Sequence, residues 1–382
     1  MNRQLAATQS TSPKSAAAGI LVIYACQPQT ALASHEGMSQ QALARKLAAL
    51  MAYEFGGEFD SSHDYTAPLY FVPNDTLASL ELARSLGICD KLRLFGGVVP
   101  HPFVATKVIT HPLFAADAQA PAGWSHAFGE QVAEVVLPGY SAFAPDDARR
   151  AAACLLAQGA VRMKKASGRG GCDQVMIRDA ASLEIALAAI DAAAWLNSGV
   201  VIERNLNRAI THSVGQVQVG ALRATYCGMQ TTTHDNRGCE VYGGSQLTVV
   251  RGDFDALLDL DLDAGTRTAV AQALAYHAAA MAAFPGMFAS RCNYDVAQGF
   301  DDQELWRSGV LEQSWRIGGA SGAEIAALEA FQAEPALDVV RASTTELYQA
   351  DPALPDDAMV YCRQVDPVVG PIVKYARLEA YA

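Results

Sequence analysis

The order of the apolar segments constrains this chain more than any other feature. "GILVIYAC" (19–26) is a continuous apolar run of strand length, and "SQQALARKLAALMAYEF" (39–55) carries apolar residues at helical spacing. "PLYFV" (68–72) is again strand-like, and "NDTLASLELARSLG" (74–87) opens on an Asn/Asp N-cap candidate and closes at Gly87. Strands that alternate with helices predict a small parallel α/β lobe over residues 19–105, because parallel neighbours are joined by helical crossovers. Residues 1–18, polar and rich in Ala and Ser, are read as a disordered tail.

A chain of 382 residues with 51% hydrophobic content can bury a sizeable core and more than one lobe. A formal charge of −12 disfavours a broad nucleic-acid footprint, since phosphate backbones select basic faces. Any anion must be held locally. The eight cysteines include no close pair of the kind that grips zinc, so they read as reduced thiols. The run "ILVIYA" is too short for a membrane span or a signal-peptide core. The expectation is a cytoplasmic protein with neither a membrane nor a nucleic-acid partner.

After a mixed stretch (104–139), "PDDARRAAACLLAQG" predicts a helix, "AVRMKKA" a strand, "SLEIALAAIDAAAWLNSG" a helix and "VVIE" a strand. "SVGQVQVG" and "ALRATYCGMQ" alternate with period 2 and meet at Gly220, which predicts a hairpin. "TTTHDNRGCEVYGG" (231–244) reads as a polar loop. "SQLTVVRG" returns as a strand, and "DFDALLDL" and "AGTRTAVAQALAYHAAAMAAF" read as helices. "SRCNYDVAQG" and "GVLEQSW" are strand-like, and "SGAEIAALEAFQ" is helical. The last fifty residues are expected to close the chain as a helix and a strand-like tail.

Three groups of residues carry potential chemistry. Lys164 and Lys165 end a strand and run into Ser167-Gly168-Arg169-Gly170-Gly171, whose backbone N–H groups can approach an anion closely. It is not a GxxxxGK[ST] loop, and an ordinary solvated turn is the alternative. Asp295 and Glu312 lie within strand-like segments joined by a polar turn, so a hairpin brings both carboxylates to one end of a sheet. Charges in such strands need a partner: magnesium, or Arg316 four residues beyond Glu312, or a purely structural ion pair. Glu203, ending a β-branched strand, with Asn205 and Leu206 behind it, could offer backbone groups and an apolar wall to a flat base.

Lysine plus glycine-rich loop, then a strand ending in Glu, a β-hairpin, a long helix, and Asp followed by Glu across a turn: in that order these elements resemble the ATP-grasp superfamily, from about Lys107 to Ile325. The wording "VYGGSQLTVVRGDF" and "LEQSWRIGGASG" also resembles a bacterial family of unassigned function within it. The resemblance implies a mixed α/β and α+β fold: a small Rossmann-like N-terminal lobe (19–105), then a two-subdomain ATP-grasp domain (106–335) with its ATP lobe at roughly 140–250, and a closing segment (336–382). It implies ATP and Mg2+, with Lys107 and Lys164 on the nucleotide and Ser167, Gly168, Gly170 and Gly171 closing over its phosphates. Glu203 to Leu206 would form the adenine hinge. Asp295 and Glu312 match the metal-binding carboxylates, and Arg316, Gly318 and Gly319 match the arginine and glycines near the reacting acyl phosphate. Where most members have Asn two residues after the Glu, this chain has Ser314, a shorter metal ligand.

The resemblance implies an ATP-dependent carboxylate–amine or carboxylate–thiol ligase working through an acyl phosphate on a small metabolite; the acidic charge disfavours large anionic polymers as substrates and leans towards an amino-acid-like molecule. A nucleotide-binding regulatory protein and a small-molecule kinase are the alternatives. Within the 231–244 segment, His234, Asn236, Arg237 and Tyr242 are candidates for the acceptor side, with an ordinary surface loop as the alternative. His277, on the Ala-rich helix, reads as structural, and a homodimer is compatible with the sequence.

Overall fold

A computed structural model describes residues 18–26, 34–166, 168 and 173–380. Residues 1–17 of the expected tail (1–18) and the loop residues Ser167, Arg169, Gly170, Gly171 and Cys172 lie outside the described residues.

The N-terminal lobe forms as the apolar runs dictate. Strand β1 (Ile20–Tyr24) sits between β2 (Glu54–Glu58) and β3 (Leu69–Pro73) in a parallel sheet, with helix α1 (His35–Leu50) crossing over. Helix α1 is capped by Ser34 Oγ, which accepts from Gly37 N, and buries Leu43, Ala44, Leu47 and Ala48 at helical spacing. It stops earlier than its sequence pattern predicts: Ala52 turns left-handed (φ 55°), and "EFGGE" becomes β2. That strand is exposed on alternate residues and carries too little apolar signal to be read in advance. Helix α2 (Leu80–Ser85) starts at the Ser79 cap rather than at Asn74 or Asp75, and β4 (Gly97–Val98) ends the lobe.

Two short 3-10 turns, Pro102–Ala105 and Lys107–Thr110, and α3 (His126–Gln131) lead into a second sheet. This sheet takes β5 (Gly139–Ala142), then α4 (Pro145–Leu156), β6 (Val161–Lys165) and β7 (Gln174–Ile177). The expected single helix over 182–199 is two, α5 (Ala180–Ala188) and α6 (Ala192–Asn197), because Asp191 caps a new start. Strand β8 (Val200–Arg204) completes an antiparallel sheet ordered β5-β8-β6-β7.

Every remaining strand but the short Phe288–Ala289, which pairs with β4, belongs to one eight-stranded antiparallel sheet. β9 (Asn207–Val219) and β10 (Leu222–His234) form the hairpin expected at Gly220, whose φ of 56° suits glycine. The 231–244 segment is corrected from loop to hairpin: β10 runs through its β-branched "TTT", and β11 (Glu240–Arg251) begins after a turn at 235–239. Helices α7 (Phe254–Leu258) and α8 (Ala264–Ala283) and the short β12 (Phe288–Ala289) precede β13 (Arg291–Phe300) and β14 (Trp306–Ser314). After α9 (Ser321–Ala333), the closing segment is three strands rather than a helix and a strand: β15 (Val339–Leu347), β16 (Met359–Asp366) and β17 (Gly370–Ala380). The order is β14-β13-β9-β10-β11-β15-β17-β16.

Strand alternation assigns the two faces of this sheet. Tyr294 and Val296 pack with Val270, Ala273 and Tyr276 of α8, while Tyr226 and Leu247 pack with Ile325 and Leu328 of α9 and with α1. Asn293 and Asp295 therefore face away from α8. No helix among the described residues is long and apolar enough to cross a membrane.

Candidate active site

The hairpin of β13 and β14 places Asp295 directly opposite Glu312 and Asn293 opposite Ser314. These side chains line a cavity of about 580 Å³ together with Lys107, which follows the first 3-10 turn, and Lys164, from the second sheet. One space therefore joins residues from both sheets. Arg316, Gly318 and Gly319 line it too, as do Arg237 and Tyr242. A Cβ on Gly319 would lie 2.5 Å from the Tyr242 ring, so the chain passes there only without a side chain.

The charges within the cavity are paired in sequence-distant steps. Lys107 Nζ lies 2.5 Å from Glu312 Oε2 and donates to the Gly168 carbonyl at 2.7 Å, which ties it to the glycine-rich loop. Lys164 Nζ lies 2.6 Å from Glu203 Oε1, and His111 Nε2 is 3.0 Å from the other oxygen. Burial alone would raise the Glu203 pKa, but Lys164's charge and His111's hydrogen bond outweigh it and hold the carboxyl at about 2. Asp295 behaves oppositely. Burial, reinforced by the charge of Glu312, pushes it up to about 6, although Gln230 and Asn293 each donate to its Oδ1 at 2.7 Å.

That surplus of negative charge fits a divalent cation. Among the described residues there is no group of three or more His, Cys, Asp or Glu side chains suited to a metal. Two carboxylates are nevertheless the set that magnesium takes when phosphate and water oxygens complete its octahedron. Ser314 Oγ is not idle: it accepts from Arg291 Nη1 at 3.2 Å.

Other expected site residues lie outside the cavity wall. Glu203 supports it through Lys164, while Asn205 Oδ1 accepts from the Arg162 guanidinium at 2.8 and 3.2 Å. Leu206 and His234 do not line it. Asn236 donates to the carbonyls of Val369 and Pro371, at 2.6 and 3.1 Å, and so anchors the turn between β16 and β17. Arg237, which does line the cavity, is held by Asp235 at 2.9 Å. Of the loop residues, Gly168 alone is described.

Sequence reasoning missed the network beneath this floor. Arg291 and Glu324 form a fully buried ion pair at 2.7 Å, and Tyr226 donates to Glu324 Oε1 at 2.6 Å. Arg291 also donates to the carbonyls of Ser314 and Arg316, which fixes the exit of β14 toward the glycines. An acid inside the apolar helix "SGAEIAALEAF" was the available signal.

A lobe of parallel strands, a small antiparallel sheet and a large one with a charged cavity between them define the ATP-grasp fold, which the solved structures bear out. Over 94% of this chain and 93% of theirs, the coordinates match the N5-carboxyaminoimidazole synthetase of Staphylococcus aureus complexed with ADP, at TM-score 0.52 and 12% identity. A biotin carboxylase–β,γ-ATP complex from Campylobacter jejuni matches over 94% of this chain and 87% of that one, at TM-score 0.50 and 11% identity. The chain itself belongs to the family described as "Protein of unknown function (DUF3182)", whose model matches residues 23–376. No curated protein sequence matches it.

Proposed function

We propose that this chain is an ATP-dependent ligase that activates a small carboxylate as an acyl phosphate and joins it to an amine or a thiol. The observation that carries the reading is the convergence of Lys107, Lys164, Asp295, Glu312 and Arg316 on one cavity. Phosphoryl transfer needs little covalent help from a protein, because positioning and charge neutralisation supply most of the effect.

In this reading ATP lies between the second sheet and the eight-stranded sheet, as ADP and ATP accompany the structural neighbours. Lys164, kept in place by Glu203, and Lys107, kept by Glu312 and Gly168, present ammonium groups to phosphate oxygens. Glu203 to Leu206 would meet the adenine through backbone groups. Asp295 and Glu312 would hold magnesium, which when bound neutralises triphosphate charge and orients it. Arg316, on the strand exit fixed by Arg291, would steady the reacting acyl phosphate, with Gly318 and Gly319 leaving room beside it.

The test is thermal stabilisation by ATP, ADP and GTP with and without magnesium, with Glu312→Gln as control, followed by acceptor-dependent release of ADP and phosphate. A magnesium-dependent ATP shift that the variant loses supports the site. No shift from any nucleotide in a folded sample would sink it. One observation favours a nucleotide-binding regulatory role instead: Ser314, engaged by Arg291, stands where a longer ligand is usual. ATP binding without acceptor-dependent turnover would decide for that role.

A further inference from the structure

The cavity does not end at Asp295 and Glu312. It extends past Tyr242 to a second polar group drawn from opposite ends of the chain: His35 in the first turn of α1, Glu346 on β15, Tyr361 on β16 and Lys374 on β17. Tyr242 stands between the two groups, its hydroxyl 2.7 Å from Ser245 Oγ and 3.1 Å from Thr344 Oγ1. Burial raises its pKa, and the charges of Glu346 and Asp295 both add to the rise, so one phenol feels both ends of the cavity.

Lys374 Nζ donates to Glu346 Oε1 at 2.9 Å, and the two side chains are 8% and 7% exposed. Removing both charges from water costs several kcal/mol, which the pair repays only if the leftover protons and lone pairs find partners. Here they do not. Among the described residues the ammonium makes that single hydrogen bond and the second carboxylate oxygen accepts none. Among the described residues the Tyr361 hydroxyl makes none either, and His35 Nδ1 is buried without a partner. Four polar side chains with spare hydrogen-bonding capacity thus meet on one cavity wall, a pattern that bound ligands complete.

The charge arrangement selects the ligand. A simple anion drawn to Lys374 meets the repulsion of Glu346, and a simple cation drawn to Glu346 meets that of Lys374. A molecule carrying adjacent charges of both signs satisfies the two together. We propose that this end of the cavity binds a zwitterionic, amino-acid-like molecule, its carboxylate on Lys374 and its ammonium on Glu346, with the Tyr361 hydroxyl and His35 Nδ1 completing the contacts. That this molecule is one of the two substrates joined rests on the ligase reading; the binding itself does not.

The experiment titrates the full chain, without nucleotide, with the standard amino acids and β-alanine, each beside its deaminated acid and its decarboxylated amine. Binding is read by calorimetry and thermal shift. At least one zwitterion is expected to bind while neither of its halves does. Lys374→Met/Glu346→Leu, which replaces the pair with apolar side chains of similar size, is expected to keep its circular dichroism and ATP response while losing zwitterion affinity by about tenfold or more. If no zwitterion binds, if the half-molecules bind equally well, or if the folded double variant binds as the wild type does, the proposal is overturned. Zwitterion binding in a protein that shows no ATP shift would leave this inference standing and remove the ligase reading.

Discussion

Lys107 Nζ sits 2.5 Å from Glu312 Oε2, and Glu312 is the direct cross-strand partner of Asp295. A single ammonium thus moderates two facing acids. Lys107→Met is expected to destabilise the metal-free protein by about 1–3 kcal/mol, because it leaves two like charges opposed. Magnesium should recover more of this loss in the variant than it adds to the wild type. Melting in EDTA and in magnesium measures the difference, and an equal response would detach the metal from these carboxylates.

The Arg291–Glu324 pair lies wholly inside the protein. Arg291→Met or Glu324→Leu alone should cost about 3–5 kcal/mol, since each strands a buried charge, whereas the double replacement should recover most of that. Urea unfolding of the four proteins in a double-mutant cycle gives the coupling. Additive losses would mean that the pair does not act as a unit.

Lys164→Ala is expected to weaken ATP affinity, as the sequence alone predicts, and the structure adds a loss of stability because buried Glu203 then keeps, among the described residues, His111 as its side-chain partner. Glu203 is held at about 2, below its ordinary 4.5. Its contribution, about 3 kcal/mol, is therefore fully present above pH 4.5 and is lost as pH falls towards 2. The variant should show a shallower decline across that window. Calorimetry with ATP at neutral pH and urea unfolding between pH 5 and pH 3 separate the two effects. Unchanged ATP affinity would count against the nucleotide site.

His277 Nδ1 lies within hydrogen-bonding distance of the Tyr294 hydroxyl, at 2.6 Å. Burial, helped by the charge of Lys91, lowers its pKa to about 4 from 6.5. The folded state thus binds fewer protons than the unfolded chain, so stability present above pH 6.5 is lost as pH falls through 4, by up to about 3 kcal/mol. His277→Leu should remove that slope. The same slope in the variant would assign the acid loss to other groups.

The parts of the site legible in the sequence were those carried by local pattern. Asp295 and Glu312 were readable because two strand-like runs flank one turn, which fixes their pairing without knowledge of the rest. Lys164 was readable from its strand and the glycines behind it. Its partner Glu203 was placed on the right strand, yet the ion pair depends on β6 and β8 lying side by side, which no local spacing encodes. The C-terminal strands were harder still. β15 pairs with β11 across α7, α8 and α9, and such distant pairing leaves no periodic mark. The Lys374–Glu346 pair was invisible for the same reason, since a lysine in "IVKYARLEAYA" looks like any solvated strand residue until its neighbour is known.

Asp366 Oδ2 accepts from His35 N at 2.7 Å across 331 residues of sequence, and α1 packs on β16. The far wall of the cavity is therefore assembled by a closure across most of the sequence, and such closures are entropically slow to form. On a ribosome, Lys107, Lys164, Asp295 and Glu312 all emerge before Glu346, Tyr361 and Lys374. A nascent chain thus carries the groups assigned to the nucleotide before it has the compartment assigned to the zwitterion, and the order of translation itself delays any coupling between the two.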